Sequence, residues 1–329
     1  PSPRGRGQRG GGTLTPALSP VCVRTPACRA TAQAWRTGRH QGRGSVFAVC
    51  KFLIKSFEFF MNEVLEETVS IKFNRQIGKD IWLMGFRSVK LASLTKPGQF
   101  FMVHLDKTTK DPLLRRPFSI HGIQDKNQLM LLYKIVGKGT LLLSCLKKDD
   151  SISVIGPLGN GFTIPNPHEK TLLVAGGMGV APLFFLAQSL NKVHKQKITM
   201  FLGFSTSQEV ILINELKDLN MDVSLTTEDG SLGITGLVTD LLDEYLRQEL
   251  NQLSTIYACG PILMLKKVAQ MVSAYNLRCY VSLEGQMACG LGVCQGCAVK
   301  AYNNKNRPYY YVCQDGPVFS SEMIDWQVI

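Results

Sequence analysis

Thr171-Leu172-Leu173-Val174-Ala175-Gly176-Gly177-Met178-Gly179-Val180-Ala181-Pro182 is an apolar run that stops at two glycines and resumes with helix-forming residues. An uninterrupted apolar strand is one buried on both faces, as in a parallel sheet. Pro182 suits the first turn of the helix that follows. Glycines at 176, 177 and 179 let a ligand approach the backbone, and free N–H groups at the helix start favour phosphate. The spacing is not the G-x-G-x-x-G of dinucleotide folds, and a bare glycine turn is a weak signal by itself.

Downstream the same unit repeats. Ile198-Thr199-Met200-Phe201-Leu202, Asp222-Val223-Ser224-Leu225 and Thr255-Ile256-Tyr257-Ala258 read as strands. Helices are expected over residues 181–194, 210–219, 237–250 and from Pro261 to about Tyr275. Arg278 to Leu283 would be the last strand. Alternating strand and helix predicts a doubly wound, mostly parallel sheet. Cys259-Gly260-Pro261 is a second strand-to-helix turn at its carboxyl edge, where ligands collect. Cys259 there is either a nicotinamide contact or a small buried residue.

Upstream the pattern differs. Ile81-Trp82-Leu83-Met84-Gly85-Phe86, Gln99-Phe100-Phe101-Met102-Val103, Phe118-Ser119-Ile120 and Leu129-Met130-Leu131-Leu132-Tyr133-Lys134 are short apolar runs, broken at Lys96-Pro97-Gly98 and Asp125-Lys126-Asn127. Several strands at this spacing predict a small antiparallel barrel. Arg116-Pro117-Phe118-Ser119 opens one of them. Arg116 can hold a pyrophosphate through charge-assisted hydrogen bonds, or can be a plain surface residue. Lys134-Ile135-Val136-Gly137-Lys138-Gly139-Thr140 runs from a strand into a glycine-rich helix start, a second phosphate-binding feature.

The net charge of +12 is misleading, because residues 1–60 hold ten Lys or Arg against one acid, Glu58. That segment carries +9, so the rest of the chain lacks the basic excess of a nucleic-acid-binding surface. Lys51, Lys55 and Glu58 interrupt the most apolar early stretch, so no membrane span is expected. Residues 1 to about 45 are rich in Gly, Arg, Pro, Ser and Thr and lack apolar periodicity. Residues 1–60 are expected to be a disordered or non-native leader, with the true start near Met61; an organelle transit peptide is the other possibility.

Of ten cysteines, Cys22, Cys28 and Cys50 lie in that leader, and Cys145, Cys259 and Cys279 are isolated. The other four form Cys289-x4-Cys294-x2-Cys297 with a distant Cys313, the spacing of plant-type [2Fe–2S] proteins. Gly290, Gly292 and Gly296 let such a loop wrap closely and aim N–H groups at sulfur. The alternatives are a zinc site and a disulfide pair. Zinc ribbons usually use two C-x2-C knuckles or a Cys/His mixture, and only one such pair is present. Ligand thiolates suit a reducing, cytoplasmic setting.

Taken in order, Arg-Pro-x-Ser, the Gly139-Thr140 turn, Gly-Gly-x-Gly-x-Ala-Pro, Cys-Gly-Pro and a terminal iron–sulfur loop resemble the plan of the ferredoxin–NADP reductase-like superfamily. Ser282-Leu283-Glu284, Met287-Ala288-Cys289-Gly290-x-Gly-x-Cys294-x-Gly-Cys297 and Val312-Cys313-x-Asp315-Gly316-Pro317-Val318-Phe319 resemble the dihydroorotate dehydrogenase B electron-transfer subunit family. The likeness covers Met61 to the C-terminus and implies an α+β and α/β protein in three parts. These would be an antiparallel β-barrel FAD domain over residues 61–165, a doubly wound NAD domain over 166–283 and a [2Fe–2S] lobe over 284–329.

The resemblance also implies site residues. Arg116, Pro117, Phe118 and Ser119 would bind FAD, Leu132, Tyr133 and Lys134 would line it, and Gly139 and Thr140 would meet its phosphates. Gly176, Gly177, Gly179, Cys259, Gly260 and Pro261 would meet NAD, and Cys289, Cys294, Cys297 and Cys313 would hold the cluster. Phe118 stands where a smaller aliphatic residue is expected, and Lys134 where Arg is usual. The implied partner is an FMN-containing dihydroorotate-oxidising subunit, two copies of each making a heterotetramer. Electrons would pass from that FMN through the cluster and FAD to NAD⁺ in pyrimidine synthesis. Close alternatives are a small NAD(P)H:ferredoxin oxidoreductase subunit and a hydrogenase diaphorase subunit; a zinc-binding interaction module is a third. NAD is expected over NADP, because Gly203-Phe204-Ser205-Thr206-Ser207-Gln208-Glu209 offers no basic residue and Glu228-Asp229 adds acid.

Overall fold

A computed structural model describes residues 64–105, 111–193, 198–249 and 253–329. The leader and its three cysteines lie outside the described residues. Six strands close an antiparallel barrel in the order β1-β2-β5-β4-β3-β6. They are β1 (Leu65–Gly78), β2 (Ile81–Arg87), β3 (Phe100–His104), β4 (Arg116–Gln124), β5 (Gln128–Lys134) and β6 (Ser151–Leu158). The apolar runs of β2 to β5 were visible in the sequence. Strands β1 and β6, which pair with each other, were not: charged residues crowd β1, and Gly156-Pro157 interrupts β6. The β4–β5 turn falls at Asp125 and Lys126, both at positive φ, as the Asp-Lys-Asn break suggested. Ile71, Phe86, Phe101, Ile120, Leu129 and Leu131 fill the interior. Helix α1 (Val89–Leu94) is capped by Ser88, whose Oγ accepts the Leu91 N–H at 3.0 Å. Helix α2 (Lys138–Cys145) follows β5.

The next domain is a seven-stranded sheet ordered β10-β9-β8-β7-β11-β12-β15. Its parallel strands are β7 (Lys170–Gly176), β8 (Ile198–Phe204), β9 (Met221–Thr227), β10 (Ile234–Thr235), β11 (Leu253–Cys259) and β12 (Arg278–Ser282). Helices α3 (Val180–Val193) and α4 (Ile213–Asp218) pack on one face, α5 (Val238–Glu249) and α6 (Ile262–Ala274) on the other. The winding reverses between β7 and β11, which is where ligands bind in open α/β sheets. Helix α4 is shorter than the expected 210–219 segment: a 3₁₀ turn takes Ser207–Glu209, and Leu212 turns left-handed at φ 65° before the helix begins.

Arg278–Ser282 closes the parallel part, yet it is not the sheet edge. Strand β15 (Val318–Ser320), from beyond the cysteines, pairs antiparallel with β12. Between them lies a small hairpin of β13 (Ala298–Lys300) and β14 (Tyr309–Tyr311). Leu83, Met130 and Leu132 of the barrel share an apolar core with α3, so the barrel and the sheet are joined by buried surface. No helix among the described residues is long and apolar enough to cross a membrane.

Candidate functional site

Three groups of residues converge around these joints. The first is the cysteine lobe. The β13–β14 hairpin sets Cys297 just before one strand and Cys313 just after its partner, and the Val312 N–H donates to the Cys297 carbonyl at 3.0 Å. Their thiols end 3.3 Å apart and buried. Cys289 and Cys294, from the preceding loop, make a second, more exposed pair whose thiols are hydrogen-bonded to each other. The loop achieves this with Gly290 and Gly292 at φ 72° and 76°; a Cβ on Gly290 would fall 2.5 Å from Met102 of β3.

Backbone N–H groups aim at the sulfurs. Leu291 and Cys294 donate to Cys289 Sγ at 3.3 and 3.4 Å, and Gly292 donates to Cys313 Sγ at 3.1 Å. The Gly296 N–H, followed by donors from Cys289, brings the Cys294 thiol down to about 7, whereas burial pushes Cys313 up to about 12. Among the described residues no three His, Cys, Asp or Glu side chains gather tightly enough for a single ion. Two thiol pairs are what a binuclear cluster asks for, since each of its irons takes two thiolates, and the N–H donors suit sulfurs carrying negative charge. The donor set therefore fits [2Fe–2S]. All four cysteines are free thiols.

The second group is the phosphate-binding corner of the barrel. Arg116 opens β4, and its guanidinium lies over the first turn of α2: a Cβ on Gly139 would sit 3.0 Å from Arg116 Nε. Arg116 Nη1 also donates to the Leu114 carbonyl at 2.6 Å, which fixes its direction. Thr140 Oγ1 accepts the Val136 and Gly137 N–H groups at 2.9 and 3.2 Å, so its hydroxyl shapes the turn and its backbone N–H remains for an anion. Guanidinium, glycine and helix start together fit a pyrophosphate. Pro117 and Ser119 are half-buried on the same strand.

The residues expected to line a flavin are divided. Phe118 and Tyr133 meet edge to face at 5.8 Å inside the barrel. Tyr133 donates to Asn74 Oδ1 at 2.9 Å, and burial raises its phenol well above its ordinary value. Leu132 points instead into the core shared with α3, and Lys134 is tied to Glu209 of the next domain at 2.7 Å. His121, two residues beyond Ser119, is buried at this joint. It stacks on Phe184 at 4.4 Å, bonds the Ala181 backbone and leaves Nδ1 without a partner; burial lowers its pKa to about 4.

The third group is the switch point. A Cβ on Gly179 would lie 2.1 Å from the Cys259 carbonyl, so the Gly176–Gly179 and Cys259–Pro261 turns touch backbone to backbone. Cys259 itself is buried, bonded to Ser282, and pushed up to about 12 by burial. That describes an inert thiol. A cleft of about 520 Å³ lies between the two domains, lined by Lys79, Asp80 and Lys134 of the barrel and by Ser207, Glu209 and Asp229. The loop lacks a base, as the sequence indicated, but the barrel supplies two lysines, one of them already paired with Glu209. The Ser205 hydroxyl is donated to Glu228 at 3.3 Å and that of Ser231 to Asp229 at 2.6 Å, so acids already hold these hydroxyls.

Sequence reasoning missed Asn160, whose side-chain amide donates to the Gln314 and Asp315 carbonyls at 3.3 and 2.8 Å, tying the cysteine lobe to the barrel. It also missed Glu209 as the partner of Lys134. Nothing local marks either residue; both act across more than 70 positions.

A barrel joined to a doubly wound sheet, with a thiol lobe stitched to its edge, defines a flavin- and nucleotide-type reductase carrying an iron–sulfur centre. Comparison with known proteins narrows this. Residues 284–325 match the iron–sulfur cluster binding domain of dihydroorotate dehydrogenase B, and residues 173–270 match an oxidoreductase NAD-binding domain. The chain is 38% identical over 252 residues to the dihydroorotate dehydrogenase B (NAD⁺) electron transfer subunit of Desulforamulus reducens, covering 76% of this chain and 95% of that one. The Fusobacterium nucleatum subunit is 36% identical, over 79% of this chain and 98% of its own. A solved NADH-dependent reduced ferredoxin-NADP oxidoreductase superposes with TM-score 0.70 and 30% identity, covering 79% and 90% of the two chains. The ferredoxin reductase of carbazole 1,9a-dioxygenase shares the fold at TM-score 0.56, 17% identity and coverage of 65% and 67%. The chain belongs to the family of dihydroorotate dehydrogenase B electron transfer subunits.

Proposed function

We propose that this chain carries electrons between an FMN-containing dihydroorotate-oxidising subunit and NAD⁺, in a cytoplasmic assembly of two copies of each subunit. The observation that supports it most is the pairing of the four thiols on a lobe hydrogen-bonded to both the barrel and the nucleotide sheet. The chemistry the groups supply when bound is single-electron traffic at the cluster and paired-electron exchange between FAD and NAD.

The protein's own residues then have definite tasks. Cys289 and Cys294 would hold one iron and Cys297 and Cys313 the other, with N–H donors offsetting the thiolate charge. Arg116 and the first turn of α2, at Gly139 and Thr140, would anchor the FAD pyrophosphate. Pro117, Phe118 and Ser119 would pass along the flavin by backbone and hydroxyl, with Leu132, Tyr133 and Lys134 as its support. Gly176, Gly177, Gly179, Gly260 and Pro261 would admit the dinucleotide, and Cys259 would be packing behind it. Asn160, with the Gly290–Met102 contact, fixes how far the lobe stands from the barrel.

Dihydroorotate:NAD⁺ turnover by this chain with an FMN-bearing dihydroorotate-oxidising partner tests the reading, together with co-purification of the two. No turnover with that partner, while NADH still reduces the flavin, would reject it. A second reading as a ferredoxin-linked subunit is favoured by the TM-score of 0.70 to the ferredoxin-NADP oxidoreductase. It predicts electron exchange with reduced ferredoxin instead.

A further inference from the structure

The outer face of the barrel carries two of the three groups side by side. Phe101 and Val103 fill the barrel interior, so the alternate residues of β3, Phe100 and Met102, point outward. Both are buried there and belong to the same apolar core as Leu158 of β6, Cys297 and Cys313. Met102 is the seat of the cysteine loop: a Cβ on Gly290, next to Cys289, would fall 2.5 Å from Met102 Cγ and 3.0 Å from its sulfur. On its other side Met102 is in register with Pro117 of β4, as Phe100 is with Ser119. Residues directly opposite in antiparallel strands share a face, so Pro117 and Ser119 point outward too. The cysteine loop and the Arg116–Ser119 strand thus flank one buried side chain, and β3 and β4 stand a single strand spacing of about 4.8 Å apart. Phe100, the other outward residue, abuts Gly159 in the chain leaving β6, where a Cβ would lie 3.1 Å from its ring.

We infer that Met102 is the spacer between the two electron carriers: its side chain fills the gap between the cysteine loop and the strand that lines the flavin, and electrons cross there. This rests on the cluster and flavin roles given above. The step moves one electron from cluster to flavin, or back, and forms or breaks no bond. Electron tunnelling weakens far more steeply across empty space than across packed atoms, so the gap has to stay filled. A thioether chain is flexible and polarizable and suits an irregular gap. The lobe has other holds, in the Asn160 amide on the Gln314 and Asp315 carbonyls and in the β12–β15 pairing. Shortening Met102 therefore leaves a void instead of letting the lobe settle inward. Met102 touches neither substrate nor reacting atoms by this account; it is a positioning residue.

The test uses the full-length chain loaded with FAD and cluster. A deazaflavin radical made by a light flash delivers one electron, and absorbance follows its redistribution between cluster and flavin. Met102→Leu, which keeps the volume, should match the wild-type rate. Met102→Ala should slow the redistribution several-fold, with Met102→Val between. Iron and flavin contents, both midpoint potentials and the reduction of flavin by NADH should stay as in the wild type, which a general structural defect would not allow. Met102→Val serves if Met102→Ala does not hold both cofactors. An unchanged rate in the shortened variant, a Met102→Leu rate as slow as that of Met102→Ala, or a slower rate accompanied by shifted potentials overturns the assignment alone. A wild type that takes up no flavin or no iron overturns the roles it rests on, and the assignment with them.

Discussion

The cysteine lobe and the interdomain cleft are built by opposite means. In the lobe, four cysteines lie within 25 positions of one another, and a three-residue-strand hairpin brings the distant one home. In the cleft, Lys79 and Asp80 come from a barrel turn, Lys134 from the end of β5, and Glu209 and Asp229 from two later loops. The first site is written in spacing. The second exists only once two domains have packed. Damage to the lobe should therefore stay local, whereas the cleft and its joint should respond to changes at either domain.

The largest effect expected is at the lobe. Cys294→Ser should abolish iron–sulfur absorbance and bound iron, while FAD still loads and NADH still reduces it. Iron assay and a visible spectrum decide this; loss of flavin along with iron would break the claim that the two regions are separable.

Next comes the phosphate corner. Arg116→Ala should weaken FAD binding by about 1.5–3 kcal/mol, the scale of a hydrogen bond to a charged group. Flavin should then leave on gel filtration at low protein concentration, with the cluster retained. Full flavin occupancy in the variant would reduce Arg116 to a surface residue.

The joint itself can be probed through pH. His121 titrates near 6.5 when unfolded and near 4 when folded, because burial disfavours its charged form. In that window the unfolded chain binds the extra proton, so stability contributed by the buried neutral ring is present above pH 6.5 and falls as pH drops toward 4. Between pH 7 and pH 4.5 the loss should be about 2 kcal/mol. His121→Leu should lack it, so denaturation midpoints of variant and wild type should shift relative to each other in the variant's favour on acidification. Parallel pH curves would mean that the joint is wetter than the structure shows.

The smallest effect sharpens the cleft. The wild type should use NADH with higher kcat/KM than NADPH. Glu209→Gln should release Lys134 and remove one acid, cutting that preference by up to about tenfold, or 1.4 kcal/mol. A preference that stays put would place the 2′-hydroxyl end of the nucleotide elsewhere.

This contrast also explains what could be read in advance. The strand-to-helix turn was legible because an unbroken apolar run closing on Gly176-Gly177 marks the end of a strand buried on both faces, and the cysteine lobe because its four cysteines stand close together in the sequence. Strands β1 and β6 were not: β1 carries Glu66, Glu67, Lys72 and Arg75 and keeps only Val69 and Ile71 fully buried along its length, and the mostly buried β6 is broken by Gly156-Pro157. The side-chain fate of Tyr133 and Leu132 was hidden for a related reason. Adjacent strand residues point to opposite faces, and no local pattern tells which face is the barrel interior and which the joint with α3. Asn160 and Glu209 carry no signal of their own, because a single Asn or Glu acquires meaning only from what folding sets against it.

The pairing of β12 with β15 has one more consequence. The Leu283 N–H donates to the Pro317 carbonyl at 2.9 Å, so the chain enters and leaves the cysteine lobe at a single rung of the sheet. Topologically the lobe is a detour from a β-hairpin, with its two ends already clasped. Lengthening or shortening such a detour changes loop-closure entropy only logarithmically. The sheet would tolerate a short reverse turn joining β12 directly to β15 in the same register. The redox centre is thus grafted into the fold at a point where insertion leaves the strand order untouched.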